Sequence, residues 1–171
     1  MNLAVHKSFL GRADSAAFFE AWVGASLARL GLFTLHRPFT LAEETGFDVS
    51  DYANSWDLDV GPHPASLVPV DVKSVNLTFT GPYDYPFPTI LLCSRKAFER
   101  RRPGKLVLGH DFITVSRNTG KMVWVPSGTP ITFKTITDST RGETFESTCA
   151  DRQHIRSIFN FVKHMNRNCE Q

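Results

Sequence analysis

Cysteine is scarce in this chain: three residues in 171, at Cys93, Cys149 and Cys169, odd in number and far apart. That excludes a dense disulfide framework, and none of the three has a partner at metal-ligand spacing. Reduced thiols in a cytoplasmic protein are the expectation. Long apolar runs are missing as well. No stretch approaches the roughly 20 residues needed to span a bilayer, so no membrane segment is expected, and Met1 to Gly11 lacks the apolar core of a signal peptide. The six histidines form no H-E-x-x-H pattern, and neither a Ser/His/Asp arrangement nor a G-x-G-x-x-G loop occurs. Internal repeats and low-complexity segments are absent. Charge of one sign is also lacking: a net +2 is too small to imply nucleic acid by itself, so the distribution of charge must carry that case.

What is present is apolar material enough for a core. At 42% hydrophobic content the chain reads as one soluble domain. Asp14 or Ser15 is placed to cap a helix running to about Leu30, with Gly31 as its stop. Phe18, Phe19, Trp22, Val23, Ala25, Leu27 and Leu30 give that helix a wide apolar stripe. Glu20 falls in the middle of the stripe, where a carboxylate needs either a partner or an exposed edge. A strand is expected over Phe33–Phe39. Residues 40–55 read as a loop with four acids, Glu43, Glu44, Asp48 and Asp51; they are either solvated or, at Glu44, a reserve metal ligand.

Residues 56–74 carry the chemistry. Trp56-Asp57-Leu58-Asp59-Val60, a Gly/Pro/His turn, and Leu67-Val68-Pro69-Val70-Asp71-Val72-Lys73-Ser74 form two alternating runs, the pattern of a β-hairpin. Alternation puts Asp57 and Asp59 on one face of their strand, and Asp71 and Lys73 on one face of theirs. Paired, the strands bring three carboxylates and one ammonium together, with Leu58, Val60, Val70 and Val72 packed behind. Carboxylates that close repel one another, the more so on a half-buried face. A hard divalent cation resolves the repulsion, with Lys73 beside it to orient a water or steady a phosphate. The plainer reading is an edge hairpin with a solvated charged face.

Asp57, followed after a short turn by Asp71-Val72-Lys73, resembles the D…(D/E)-x-K signature of the PD-(D/E)XK nucleases, a superfamily that includes restriction endonucleases and Holliday-junction resolvases. The resemblance covers about residues 12–116. It departs in having Trp56 where the name-giving proline would stand, and Asp59 competes with Asp57 for the first aspartate position. The resemblance implies phosphodiester hydrolysis in nucleic acid, DNA in the first place, with Mg²⁺ or Mn²⁺ as cofactor. It implies Asp57, Asp71 and the Val72 carbonyl as ligands, joined by Glu20 from the first helix and by Asp59, with Lys73 as the catalytic ammonium. The competing function, from another class, is a nucleic-acid-binding or assembly protein on the same fold that cleaves nothing.

After the hairpin, Gly81 to Pro88 interleaves three prolines with Tyr83, Tyr85 and Phe87. This semi-rigid loop either stacks on bases or covers one end of the core. Thr89–Cys93 reads as a central strand covered on both faces. Ser94 caps a helix over Arg95–Arg102, halted by Pro103-Gly104. Six cations crowd eleven residues there, Arg95, Lys96, Arg100, Arg101, Arg102 and Lys105. With few acids among them, the run is either a phosphate-contact surface or a solvated helix face. Strands are expected at Leu106–Leu108, Asp111–Ser116 and Lys121–Pro126, the last two joined by a turn at 117–120. Ser127 to Thr148 reads as irregular, with one edge strand. Asp151 caps a terminal helix over Arg152–Asn166, its stripe being Ile155, Ile158, Phe159, Val162 and Met165. The expected fold is α/β: a mixed central sheet flanked by helices. The resemblance adds an αβββαβ restriction endonuclease-like core over about residues 12–116, then a strand-rich extension and terminal helix over 117–167. A homo-oligomer is left open.

Overall fold

A computed structural model describes residues 3–37, 56–138 and 142–167. The acidic loop at 40–55, with Glu44, lies outside the described residues.

Helix α1 spans Leu3–Arg29, so it starts a full eleven residues before the expected cap, and Asp14 and Ser15 are interior positions. Its end is where the glycine places it. Gly31 has φ 89°, a conformation that costs glycine least, and the reversal lets the Leu32 N–H reach the Leu27 carbonyl at 3.1 Å. Val23 and Leu27 are fully buried against the sheet, whereas Phe18 and Trp22, on the far side of the expected stripe, remain exposed.

Strands β1 (Phe33–His36), β2 (Leu58–Gly61) and β3 (Val68–Val75) follow. They pair antiparallel in sequence order, with Leu58 opposite Val70 and Val60 opposite Val68. The turn between β2 and β3 is tight: a Cβ on Gly61 would lie 1.9 Å from the Ser66 carbonyl oxygen, so only glycine fits. Strand β4 (Thr89–Ser94) leads directly into α2 (Arg95–Arg101). As expected, the Ser94 hydroxyl caps this helix, accepting the Ala97 N–H at 3.2 Å. The chain then returns as β5 (Asp111–Ser116), parallel to β3, with Asp71 opposite Phe112 and Lys73 opposite Thr114. Strand β6 (Met122–Val125) continues the sheet antiparallel.

Past this point the structure corrects several expectations. Residues 106–108 form only an isolated bridge from Val107 to Pro130. The stretch expected to be irregular holds the long hairpin of β7 (Thr132–Asp138) and β8 (Glu143–Asp151), whose β-branched threonines suit a pleated surface. Strand β4 is not central. It forms the edge of a second sheet ordered β4-β8-β7. Asp151 makes no side-chain cap. After a 3₁₀ turn at Arg152–His154 the chain adds a two-residue strand, β9 (Arg156–Ser157), before α3 (Ile158–Arg167) begins. In α3 the buried face is Ile158, Phe161 and Met165, and Phe159 points outward at 64% exposure.

Among the described residues the main sheet is therefore six strands, ordered β1-β2-β3-β5-β6-β9, and mixed because β3 and β5 pair in parallel. One apolar core lies on its α1 and α3 face, built from Val23, Leu27, Leu58, Val70, Phe161 and Met165 among others. A second core on the opposite face joins Phe112 and Val125 to Ile90, Phe98 and Ala150. Val70 and Val72 pack in the first core and Val75 against the second. Asp71 and Lys73, in register with Val75, therefore enter the second layer. Among the described residues no helix is long and apolar enough to cross a membrane.

Candidate active site on the third strand

Asp57 stands one residue before β2, at the point where the β2–β3 ladder ends with the Leu58–Val70 pair. Its own N–H donates to the Val70 carbonyl at 3.2 Å. Its Oδ2 accepts the Val72 N–H at 2.6 Å. The side chain thus replaces the missing ladder acceptor and is fixed against β3. Burial, and next the Asp71 carboxylate, push the Asp57 pKa up to about 8, against the Val72 hydrogen bond; Glu20 adds to the rise and Arg101 opposes it.

Glu20, half-buried on α1, is itself raised by burial and by Asp71. The three carboxylates of Glu20, Asp57 and Asp71 therefore share one electrostatic field, although they come from α1, the start of β2 and β3. Asp71 is 7% exposed. Its Oδ2 accepts from Arg101 Nη1 at 2.6 Å and from His110 Nε2 at 2.8 Å. Lys73 is two residues farther on the same face. Burial lowers its pKa below that of an ordinary lysine, while the nearby Cys93 and Cys149 thiols act in the opposite sense.

Asp59 is not part of this group. Its Oδ2 pairs with Arg37 Nε at 2.6 Å and its Oδ1 accepts from Trp56 Nε1 at 2.5 Å, with the Arg37 guanidinium 4.9 Å from the Trp56 ring centre. The expectation of three hairpin aspartates meeting on one face is corrected to two, Asp57 and Asp71, because an arginine and an indole satisfy both oxygens of the third.

The basic cluster also divides. Arg95 pairs with Glu99 at 2.7 Å and with Glu146 at 3.1 Å, and lies over the Phe133 ring, so the cluster is not short of acidic partners. Glu146 arrives on β8, in the stretch read as irregular, and could not be foreseen as a neighbour. Arg101 turns inward to Asp71. Arg102 folds over Gly109, where even a Cβ would meet its guanidinium. Lys96, Arg100 and Lys105 present exposed side chains. In the 81–88 loop, Tyr85 is buried at 2% exposure and Tyr83 stands out at 93%. Asp84 holds the loop closed by accepting the Thr80 N–H, its hydroxyl and the Gly81 N–H. Asp111, buried at the start of β5, accepts from Trp124 Nε1 and the Ser127 N–H and is a structural acid.

His110 is the site residue that sequence reasoning missed. It precedes β5, stacks on Phe112 with ring centres 5.1 Å apart, and reaches Asp71 across 39 positions of sequence. Its only advance signal was a polar residue at the mouth of an apolar strand.

Tested as a metal centre, the group is right in chemistry: hard carboxylate oxygens, mutually repelling, of the kind Mg²⁺ and Mn²⁺ take. In geometry, no three His, Cys, Asp or Glu side chains among the described residues converge closely enough to hold an ion. Asp57 is turned to the Val72 amide and Asp71 to Arg101 and His110. No family model, curated protein or solved structure matches this chain.

Proposed function

We propose that the protein hydrolyses phosphodiester bonds in nucleic acid, DNA in the first place, with a divalent cation, Mg²⁺ or Mn²⁺. The observation that carries this reading is the field shared by Asp57, Asp71 and Glu20, with Lys73 on the same strand face as Asp71. Asp57, pushed up to about 8 first by burial and then by the Asp71 and Glu20 carboxylates, is held there at a cost that a cation would relieve. The resemblance assigns the ion to Asp57, Asp71, Glu20 and the Val72 carbonyl, although the described side chains do not converge on one point to hold it. Bound there, the ion would supply Lewis-acid stabilisation of charge on the phosphoryl group and lower the pKa of a water.

The chain's own contribution is orientation and proton handling. The Val72 amide fixes Asp57, and Arg101 with His110 fixes Asp71. Lys73, desolvated and so deprotonated more readily than a surface lysine, orients the attacking water or takes its proton at Nζ. Exposed Lys96 and Lys105 offer charge to the phosphate backbone. The order α1, β1–β3, α2, β5, with β5 parallel beside β3, agrees with a restriction endonuclease-like core in which β4 has been diverted into a second sheet.

A second reading, a binding or assembly module without cleavage, is favoured by one observation. The Asp71 carboxylate is already neutralised by Arg101. Incubation with linear, circular, single-stranded and branched DNA in Mg²⁺, Mn²⁺ or EDTA separates the two. Hydrolysis is supported by divalent-dependent cutting that is lost in Asp71→Ala. Affinity retained in EDTA with no cutting under any condition establishes the binding module instead.

A further inference from the structure

Two open cavities adjoin where the 81–88 loop, the β5–β6 turn and the start of α3 come together. The first, about 690 Å³, is lined by Pro82, Tyr83, Arg152, Arg156, Ser157 and Asn160 among others. The second, about 360 Å³, takes in Arg29, Lys121 and Phe159 and shares Pro82 and Ser157 with the first. Together they make one trough, each part within the roughly 300–1,000 Å³ of ligand-sized clefts. Its charge is one-sided. Arg29, Lys121, Arg152 and Arg156 are all exposed, and no aspartate or glutamate among the described residues lines either cavity. None of the four cations joins an ion pair among the described residues. Asp151, next to Arg152 in the chain, lines neither cavity. Asp84, next to Tyr83, spends both its oxygens on Thr80 and Gly81.

The two arginines of the first cavity are already oriented. Arg152 donates from Nη2 to the Tyr83 carbonyl, and Arg156 donates from Nη1 to the Gln153 and Ile155 carbonyls. A guanidinium has five N–H donors, so each keeps donors without a partner among the described residues. Tethers to neutral carbonyls fix the group without cancelling its charge. Helix α3 also begins here, with the Ser157 hydroxyl accepting the Asn160 N–H at 3.3 Å, and the positive end of its dipole adds to the field. Each cavity carries one outward aromatic ring, Tyr83 at 93% exposure and Phe159 at 64%. We infer that this trough binds single-stranded nucleic acid, with phosphates on the four cations and unpaired bases against Tyr83 and Phe159. Positive charge without acids selects a polyanion. The rings select the single strand, because a duplex hides its base faces by stacking, and a basic groove set with aromatic platforms suits unpaired bases of any sequence. The inference rests on the proposed function for its nucleic-acid partner only, and it needs no metal ion.

The test is fluorescence anisotropy in EDTA, with thermal melting as a check on folding. Three fluorescein-labelled probes of one length are compared: oligo-dT, its duplex with oligo-dA, and an abasic deoxyribose-phosphate strand. The wild-type protein should bind oligo-dT more tightly than either of the others. Tyr83→Ala and Phe159→Ala, both at exposed sites, should each weaken oligo-dT binding by roughly 5- to 150-fold, the span of one lost base stack, and leave the abasic strand unaffected. Tyr83→Phe keeps the ring and should bind as wild type. Arg156→Gln combined with Lys121→Gln removes one cation from each cavity. That variant should weaken both strands and flatten the log–log salt dependence by about 0.7 per lost contact. Duplex bound as tightly as oligo-dT, or ring variants that lose nothing or lose equally on the abasic strand, overturns the single-strand inference. A salt slope unchanged in the Arg156 and Lys121 variant but flattened by Lys96→Gln and Lys105→Gln puts the nucleic acid beside α2 and overturns the trough. A wild-type protein that binds none of the probes overturns it as well. Cutting is scored separately with Mg²⁺ or Mn²⁺. Trough-dependent binding without any cutting removes the hydrolase and leaves this inference standing, whereas cutting with trough-independent binding removes this inference alone.

Discussion

The chemistry turns on which aspartate faces Asp71 and on how dry Lys73 is. Asp57 is bonded to the Val72 amide beside Asp71, whereas Asp59 is committed to Arg37 and Trp56. Asp57→Asn is therefore expected to abolish divalent-dependent cleavage. Asp59→Asn should leave most of it and instead lower stability by about 1–3 kcal/mol, the scale for a disrupted buried hydrogen-bond partner. Cleavage assays paired with denaturant melts decide this, and activity lost only in Asp59→Asn would shift the motif by two residues. Lys73→Met tests the amine. It preserves the stem and removes the ammonium, so the fold and Mn²⁺ binding should persist while the cleavage rate drops by roughly 10²–10⁴-fold, the range for a lost acid–base group. A rate within a few-fold of wild type would take the catalytic role from Lys73.

At the scale of elements, the legible parts are those specified by local pattern. The β2–β3 hairpin is written in a period-two alternation with Gly61 at its close turn. The end of α1 is written in Gly31, and the start of α2 in Ser94. Features that depend on distant partners were not legible. The β7–β8 hairpin hides in a Thr/Ser-rich stretch whose pairing is invisible without its register. β4 looks central by composition and is placed at an edge only because β8 pairs with it. Asp71 finds Arg101 and His110 across 30 and 39 positions of sequence, a distance no motif spans. The terminal helix shows the same limit, since the strand pairing of β9 with β6 delays its start and leaves Phe161, not Phe159, against the core. Phe161 is fully buried beside Trp124, ring centres 5.4 Å apart. Phe161→Ala should cost about 3–5 kcal/mol, and Phe159→Ala, at an exposed site, should stay within about 0.5 kcal/mol. Urea denaturation of the two variants measures both, and equal losses would contradict the observed helix face.

For the whole molecule, the buried carboxylates make folding depend on pH and on cations. An ordinary aspartate near 3.8 has lost its proton by neutral pH, but folded Asp57 keeps its proton up to about 8. Between those values the folded state binds the extra proton, so raising the pH favours unfolding. Asp57 therefore contributes its full relative stability below about 4. That contribution falls through the interval at no more than about 1.4 kcal/mol per pH unit and is gone above about 8. Glu20, raised by burial and by Asp71, adds the same sign over a window starting at its ordinary value of 4.5. Lys73 acts oppositely. Its lowered pKa means that the unfolded chain binds the extra proton between the folded value and 10.5, so its effect is to raise stability with pH over that interval. In EDTA the melting temperature is thus expected to decline from about pH 5 to pH 8. Asp57→Asn should flatten that decline and melt higher than wild type at pH 8. On the proposed reading a divalent cation changes the comparison, because it would bind the ionised carboxylates of the folded state and stabilise by mass action. Mg²⁺ or Mn²⁺ should accordingly raise the wild-type melting temperature more at pH 8 than at pH 5, and should do little for Asp57→Asn. Thermal melts over this pH range, with and without the ion, test both statements. A wild-type profile that is flat in EDTA would mean that Asp57 titrates as an ordinary aspartate, and the strained carboxylate group on which the cation argument rests would not exist.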